Sequence, residues 1–113
     1  MLRIFTSITL GIILLGASIN FAQADEKPVF TVIIKEHAFS PATIEVPANV
    51  KFKLVVDNQD ATPEEFESNE LHREKIISGK SKAIIFLGPL EAGEYGFFGE
   101  FNPETAQGTI VAK

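Results

Sequence analysis

Turn signals recur roughly every ten residues along most of this chain, and the segments between them are short, β-branched and aromatic. Phe30-Thr31-Val32-Ile33-Ile34-Lys35 is one such segment, and Thr43-Ile44-Glu45-Val46 is another, stopped by Pro47. Val50-Lys51-Phe52-Lys53-Leu54-Val55-Val56-Asp57 places Val, Phe, Leu and Val against two lysines, the period of two expected of a half-buried strand. Asn58 to Pro63 is a polar loop, Glu65-Phe66-Glu67 is extended, and the stretch from Leu71 to Ile77 fits either a strand or a helical turn. Further strands are expected from Lys82 to Leu87, Tyr95 to Phe98 and Thr109 to Ala112. No stretch keeps helical periodicity over several turns, and no internal repeat is present. The expectation is one all-β domain, a sandwich or barrel of seven to eight strands.

The start of the chain is different. Arg3, a largely apolar run from Ile4 to Phe21 and the small-x-small triplet Ala22-Gln23-Ala24 have the form of a secretory signal. Cleavage is expected after residue 24, leaving 25–113 as the domain; an uncleaved anchor helix is the competing reading. Export would place the domain in the periplasm, yet the chain has no cysteine with which to staple a small core. Stability must therefore come from burying its Phe, Ile and Val side chains. The full chain carries a formal net charge of −5, and cleavage would also remove the positive Arg3. An acidic domain is a poor match for nucleic acid or an anionic membrane, and suits cations or basic partners.

Three groups of residues could carry chemistry. In an extended Glu65-Phe66-Glu67, the two carboxylates project to one face and Phe66 to the other. Such a pair offers a hard oxygen site for iron or manganese, and with a nitrogen donor could hold Cu(II) or Zn(II). A solvated acidic strand face is the plainer account. Glu100, Asn102 and Glu104 lie in the loop before the last strand, which can face the same end of the sandwich. Glu100 could join the pair, whereas Asn102 and Glu104 read more simply as turn residues, with the Asn102 side chain bonded to its own backbone. The chain has two histidines. His37, in an early loop, reads as exposed; His72, five residues after Glu67, could swing toward it and supply nitrogen. The expected metal ligands are therefore Glu65, Glu67, Glu100 and His72. No Ser occupies a Gly-x-Ser-x-Gly elbow, the Asp57–Asp60 segment lacks the Gly and terminal Glu of a calcium loop, and there is no phosphate-binding glycine loop. A hydrolytic enzyme is not expected.

The pieces Phe39-Ser40-Pro41-Ala42-Thr43-Ile44-Glu45-Val46-Pro47-Ala48, Val55-Val56-Asp57-Asn58, Glu65-Phe66-Glu67-Ser68 and Gly93-Glu94-Tyr95 through Gly108-Thr109-Ile110-Val111, in that order, resemble the cupredoxin-like domain of bacterial periplasmic ferrous-iron uptake systems. The resemblance spans nearly all of the chain after the signal. It implies a Greek-key sandwich and a role beside an iron permease and a periplasmic iron-binding protein. It also implies a metal site at a Glu-aromatic-Glu pair, here Glu65 and Glu67. Some members add cysteines at positions matching the neighbourhood of Phe39 and Gly99, and free-standing members carry His where this chain has Asn102. A thiolate copper site is thus ruled out, and intense blue colour is not expected.

Two functions follow. One is a metal-binding accessory of ferrous-iron uptake, holding a copper or iron ion and at most assisting Fe(II) oxidation by electron transfer. The alternative is a metal-free module that docks a basic partner through its acidic pole.

Overall fold

The computed structural model describes residues 26–113, and the expected signal at 1–24 lies outside them. Among the described residues no helix is long and apolar enough to cross a membrane. Nine strands are present: β1 (Val29–Lys35), β2 (Ala38–Ser40), β3 (Thr43–Val46), β4 (Phe52–Asn58), β5 (Glu64–Ser68), β6 (Arg73–Ile77), β7 (Ser81–Leu87), β8 (Gly93–Phe98) and β9 (Gln107–Ala112). They form two sheets, one ordered β2-β1-β4-β7 and the other β3-β9-β8-β5-β6. The all-β sandwich expected from the sequence is observed. The additional strand is β2, three residues long, and the ambiguous 71–77 stretch resolves as β6.

Alternation in the sequence becomes alternation of burial. Along β4 the side chains of Phe52, Leu54, Val56 and Asn58 all point inward. Along β5 Glu64, Phe66 and Ser68 share the inner face. The centre between the sheets is aromatic. Phe97 stacks on Phe66 with ring centroids 4.9 Å apart, and Phe39 meets Phe97 edge-on at 4.9 Å. Contacts of this kind contribute about 0.5–1.5 kcal/mol each beyond the area they bury. Phe66 is fully buried, so it fixes the middle of β5 and thereby the direction of the carboxylates on either side of it.

Polar anchors tie the loops to this core. Asn58 is fully buried, and its Nδ2 donates to the carbonyls of Thr62, Ile77 and Ser78 at 2.9, 3.1 and 3.2 Å. Its Oδ1 accepts from the Asp60 amide at 2.9 Å. One side chain thus closes the 59–63 loop onto the end of β6 and delivers the chain into β5. Among the described residues no buried side-chain nitrogen or oxygen lacks a partner.

Candidate metal centre

Two clusters of potential ligands sit on opposite faces of β5. On the outer face, Glu65 and Glu67 project together, as their two-residue spacing requires. β6 lies antiparallel beside β5 with Glu74 directly opposite Glu67. From the other side the 99–106 loop folds over, and the Glu100 amide donates to Glu65 Oε1 at 3.1 Å. One carboxylate oxygen from each of Glu65, Glu67, Glu74 and Glu100 lies within 4.8 Å of the other three. Among the described residues none of the four forms an ion pair with Lys or Arg.

Four carboxylates gathered without a counter-cation repel one another. Burial raises the pKa of Glu65, and the charges of Glu67, Glu100 and Glu74 push it further up, against the Glu100 amide, which lowers it. Glu67 is raised in the same way, by desolvation and then by Glu74 and Glu100. A cation here would satisfy all four oxygen donors at once.

The 99–106 loop can cover Glu65 because Gly99 has no side chain. A Cβ on Gly99 would lie 2.8 Å from the Glu65 carbonyl oxygen and 3.0 Å from the Ala106 Cβ. Backbone therefore fills the place where the resemblance puts a cysteine.

The second cluster occupies the inner face at the start of β5. Glu64, 1 % exposed, points toward the turn between β1 and β2. Glu36 and His37 form that turn with φ of 52° and 59°, the left-handed pair of a type I′ hairpin usually made by Asn-Gly. Asp60 holds the turn in place: its Oδ1 accepts the Glu36 amide at 2.7 Å and its Oδ2 the His37 amide at 3.0 Å. His37 Nδ1 then lies 2.5 Å from Glu64 Oε1 and 3.6 Å from Asp60 Oδ2. Asn102 completes the group, with Nδ2 3.1 Å from His37 Nδ1 and 3.3 Å from Glu64 Oε2. The hydrogen bond to Glu64 raises the His37 pKa, opposed by desolvation and reinforced by the charges of Glu64 and Asp60. At Asp60 burial acts upward, but the amides of His37 and Glu36, together with Glu64 and the His37 charge, leave the pKa lowered.

Of the expected ligands, Glu65, Glu67 and Glu100 come together. His72 does not join them: it lies at φ 54° on the β5–β6 turn and borders a shallow depression shared with Glu67 and Glu74. Asn102 bonds His37 and Glu64 rather than its own backbone through its side chain. Glu104 borders the hollow that Glu36, His37, Phe101, Asn102 and Thr105 also line. Sequence reasoning missed Glu74 and the engagement of His37. Glu74 follows only from the β5–β6 register, and the partners of His37 lie more than twenty residues away along the chain.

The family model described as "Cupredoxin-like domain" matches residues 6–112. The uncharacterized protein RP394 of Rickettsia prowazekii (strain Madrid E) is 48% identical over 80 residues, covering 71% of this chain and 64% of that protein, so the match spans less than two thirds of the relative. Among solved structures, auracyanin A, a "blue" copper protein from Chloroflexus aurantiacus, aligns with a TM-score of 0.68 at 14% identity, covering 78% of this chain and 100% of that one. Amicyanin from Paracoccus versutus aligns with a TM-score of 0.62 at 15% identity, over 80% of this chain and 87% of that one.

Proposed function

The chain belongs to the cupredoxin-like domain family, and from that premise we propose that it is a periplasmic metal-binding accessory of ferrous-iron uptake that holds its ion through carboxylates rather than a thiolate. The observation that carries this reading is the convergence of Glu65, Glu67, Glu74 and Glu100 within 4.8 Å, with no lysine or arginine to neutralise them. A thiolate copper centre does not fit: the chain has no cysteine, and Gly99 is packed against β5 too closely to carry a side chain. An all-oxygen set best fits a hard ion, Fe(III) above all.

Glu65, Glu67, Glu74 and Glu100 would hold the ion, and their combined negative charge favours the higher oxidation state. A redox-active ion bound there supplies a one-electron change. The residues themselves bind and orient, with the Glu100 amide fixing the Glu65 carboxylate. An iron permease and a periplasmic iron-binding protein are the partners that this role requires.

Anaerobic titration of the metal-free protein with Fe(II), and separately with Fe(III) citrate and Cu(II), tests the reading. Saturable uptake that disappears in Glu65→Gln/Glu67→Gln is the expected result. Absence of uptake, with stability unaffected by chelators, would favour a metal-free module that docks basic partners through the same acidic face.

A further inference from the structure

We propose that the inner cluster is a second and separate cation site, in which His37 Nδ1, Glu64 and Asp60 bind a borderline divalent ion, Cu(II) or Zn(II), with Asn102 supporting Glu64. It uses none of the outer four carboxylates, so it stands or falls independently of the site proposed above.

The argument begins with donor type. One imidazole nitrogen and two carboxylates form the mixed set that borderline divalent ions prefer over hard ones. Ligand atoms of His37, Asp60 and Glu64 lie within 4.8 Å of one another. Around an ion with bonds of about 2.0–2.1 Å they would stand roughly 3.3 Å apart, a small adjustment from their present places.

His37 Nδ1 faces both Glu64 Oε1 and Asn102 Nδ2. A protonated ring donates from Nδ1 to Glu64, whereas a neutral ring with its proton on Nε2 turns the Nδ1 lone pair toward the same carboxylate, where a cation can take the proton's place. Asn102 is held with its amide nitrogen inward by its bond to Glu64 Oε2. With a cation between Nδ1 and Glu64 Oε1, the nitrogen lone pair and both carboxylates have one shared partner, while Asn102 still donates to Glu64 Oε2.

The surroundings are already arranged to orient these ligands. Asp60 fixes the turn that carries His37, through two backbone amides. Thr105 Oγ1 donates to the His37 carbonyl at 2.5 Å. Glu64 is buried, but the His37 side chain is 47% exposed, which leaves a route from solvent to the ligands without unfolding.

Cu(II) added to the purified, metal-free protein is the probe, read by electron paramagnetic resonance with pulsed detection of imidazole nitrogen. The expected signal has coupling to a single imidazole. His37→Asn removes that coupling and weakens this Cu(II) binding by at least about 100-fold, while Asn still tolerates the left-handed turn. Glu64→Gln weakens it too. His72→Asn and Glu65→Gln/Glu67→Gln leave the nitrogen-coupled signal in place. In the unmodified protein, substoichiometric Cu(II) should broaden the NMR resonances of His37 before those of His72, a readout that needs no variant. Nitrogen coupling that survives His37→Asn, selective broadening of His72, or no imidazole coupling in the unmodified protein would each overturn the proposal. Loss of the signal in Glu65→Gln/Glu67→Gln would show a single site and overturn it as well. Iron uptake that fails while this signal persists would instead count against the outer site alone.

Discussion

Glu64 and Glu65 are consecutive on β5, yet their carboxylates open on opposite faces of the sheet: Glu64 meets His37 and Asn102, and Glu65 accepts the Glu100 amide. Strand pleating causes the separation. The 99–106 loop spans both sides, with Glu100 over one carboxylate and Asn102 over the other. The two clusters are therefore adjacent but chemically distinct, one all oxygen and the other with an imidazole.

The register of β5 and β6 sets Glu67 against Glu74, and like charges directly opposite in an antiparallel pair are destabilising. Glu74→Lys should turn that repulsion into attraction. The metal-free variant should melt at a higher temperature than the unmodified protein and bind less iron at the outer site. Calorimetry in chelator, paired with iron titration, reads both effects. A variant with a lower melting temperature would show that the four carboxylates are not in conflict.

Protonation gives a second prediction. Folding raises the pKa of Glu65 and Glu67 above their ordinary value of 4.5. The folded state therefore binds these protons more tightly than the unfolded chain, and stability falls as pH climbs from that value through the folded pKa. His37 is raised above 6.5 by Glu64. Its stabilising contribution is complete below 6.5 and lost as pH rises through its folded pKa. Asp60, lowered from 3.8, contributes stability above that value and loses it only in stronger acid, as pH falls through its folded pKa. Over the range from about pH 5 to about pH 8, the metal-free protein should lose stability with rising pH. Thermal melts across that range should show the slope, reduced in Glu65→Gln/Glu67→Gln. A flat or rising profile would contradict the shifts.

Asn58 supports a third prediction. It is buried and its side chain makes four hydrogen bonds to backbone groups in the 59–63 loop and at and just past the end of β6. Asn58→Ala removes a partner from the buried Ile77 carbonyl and from three part-buried backbone groups, and each group left unpaired out of water costs about 1–3 kcal/mol. Destabilisation of roughly 3 kcal/mol in urea unfolding is expected. Because the same loop carries Asp60, the β1–β2 turn should loosen, visible as faster amide exchange at His37. A near-neutral substitution would mean that water replaces the lost bonds.

The parts of this architecture that were legible in the sequence share one property: their signal is local. Period-two alternation marked β4, and Glu65-Phe66-Glu67 announced its own geometry, because a buried Phe66 forces its neighbours outward. β2 was not legible, since three residues become a strand only by pairing with β1. Glu74 was hidden for a related reason: the 71–77 stretch fits a strand or a helical turn, and its alignment with Glu67 exists only once β6 is paired. His37 is the clearest case. Nothing near it signals a partner, because Asp60, Glu64 and Asn102 reach it through the packing of separate loops.

Gly99 provides the last prediction. It stands where the family resemblance puts a cysteine, which makes Gly99→Cys the substitution to try. The site resists it. A Cβ would lie 2.8 Å from the Glu65 carbonyl and 3.0 Å from the Ala106 Cβ, and the Gly99 amide is already bonded to the Ala106 carbonyl at 3.0 Å. Relief requires the 99–106 loop to lift from β5, at a cost of about 1–3 kcal/mol by comparison with other overpacked sites. Lifting the loop also withdraws the Glu100 amide from Glu65 and Asn102 from Glu64, so both clusters are disturbed together. Gly99→Cys should therefore be less stable than the unmodified protein, bind iron more weakly, and show no intense blue absorption with Cu(II). Gly99→Ala should reproduce the destabilisation without a thiol, which separates steric cost from sulfur chemistry. A stable, intensely blue Gly99→Cys protein would mean that this end of the sandwich can still adopt the geometry of a thiolate copper centre.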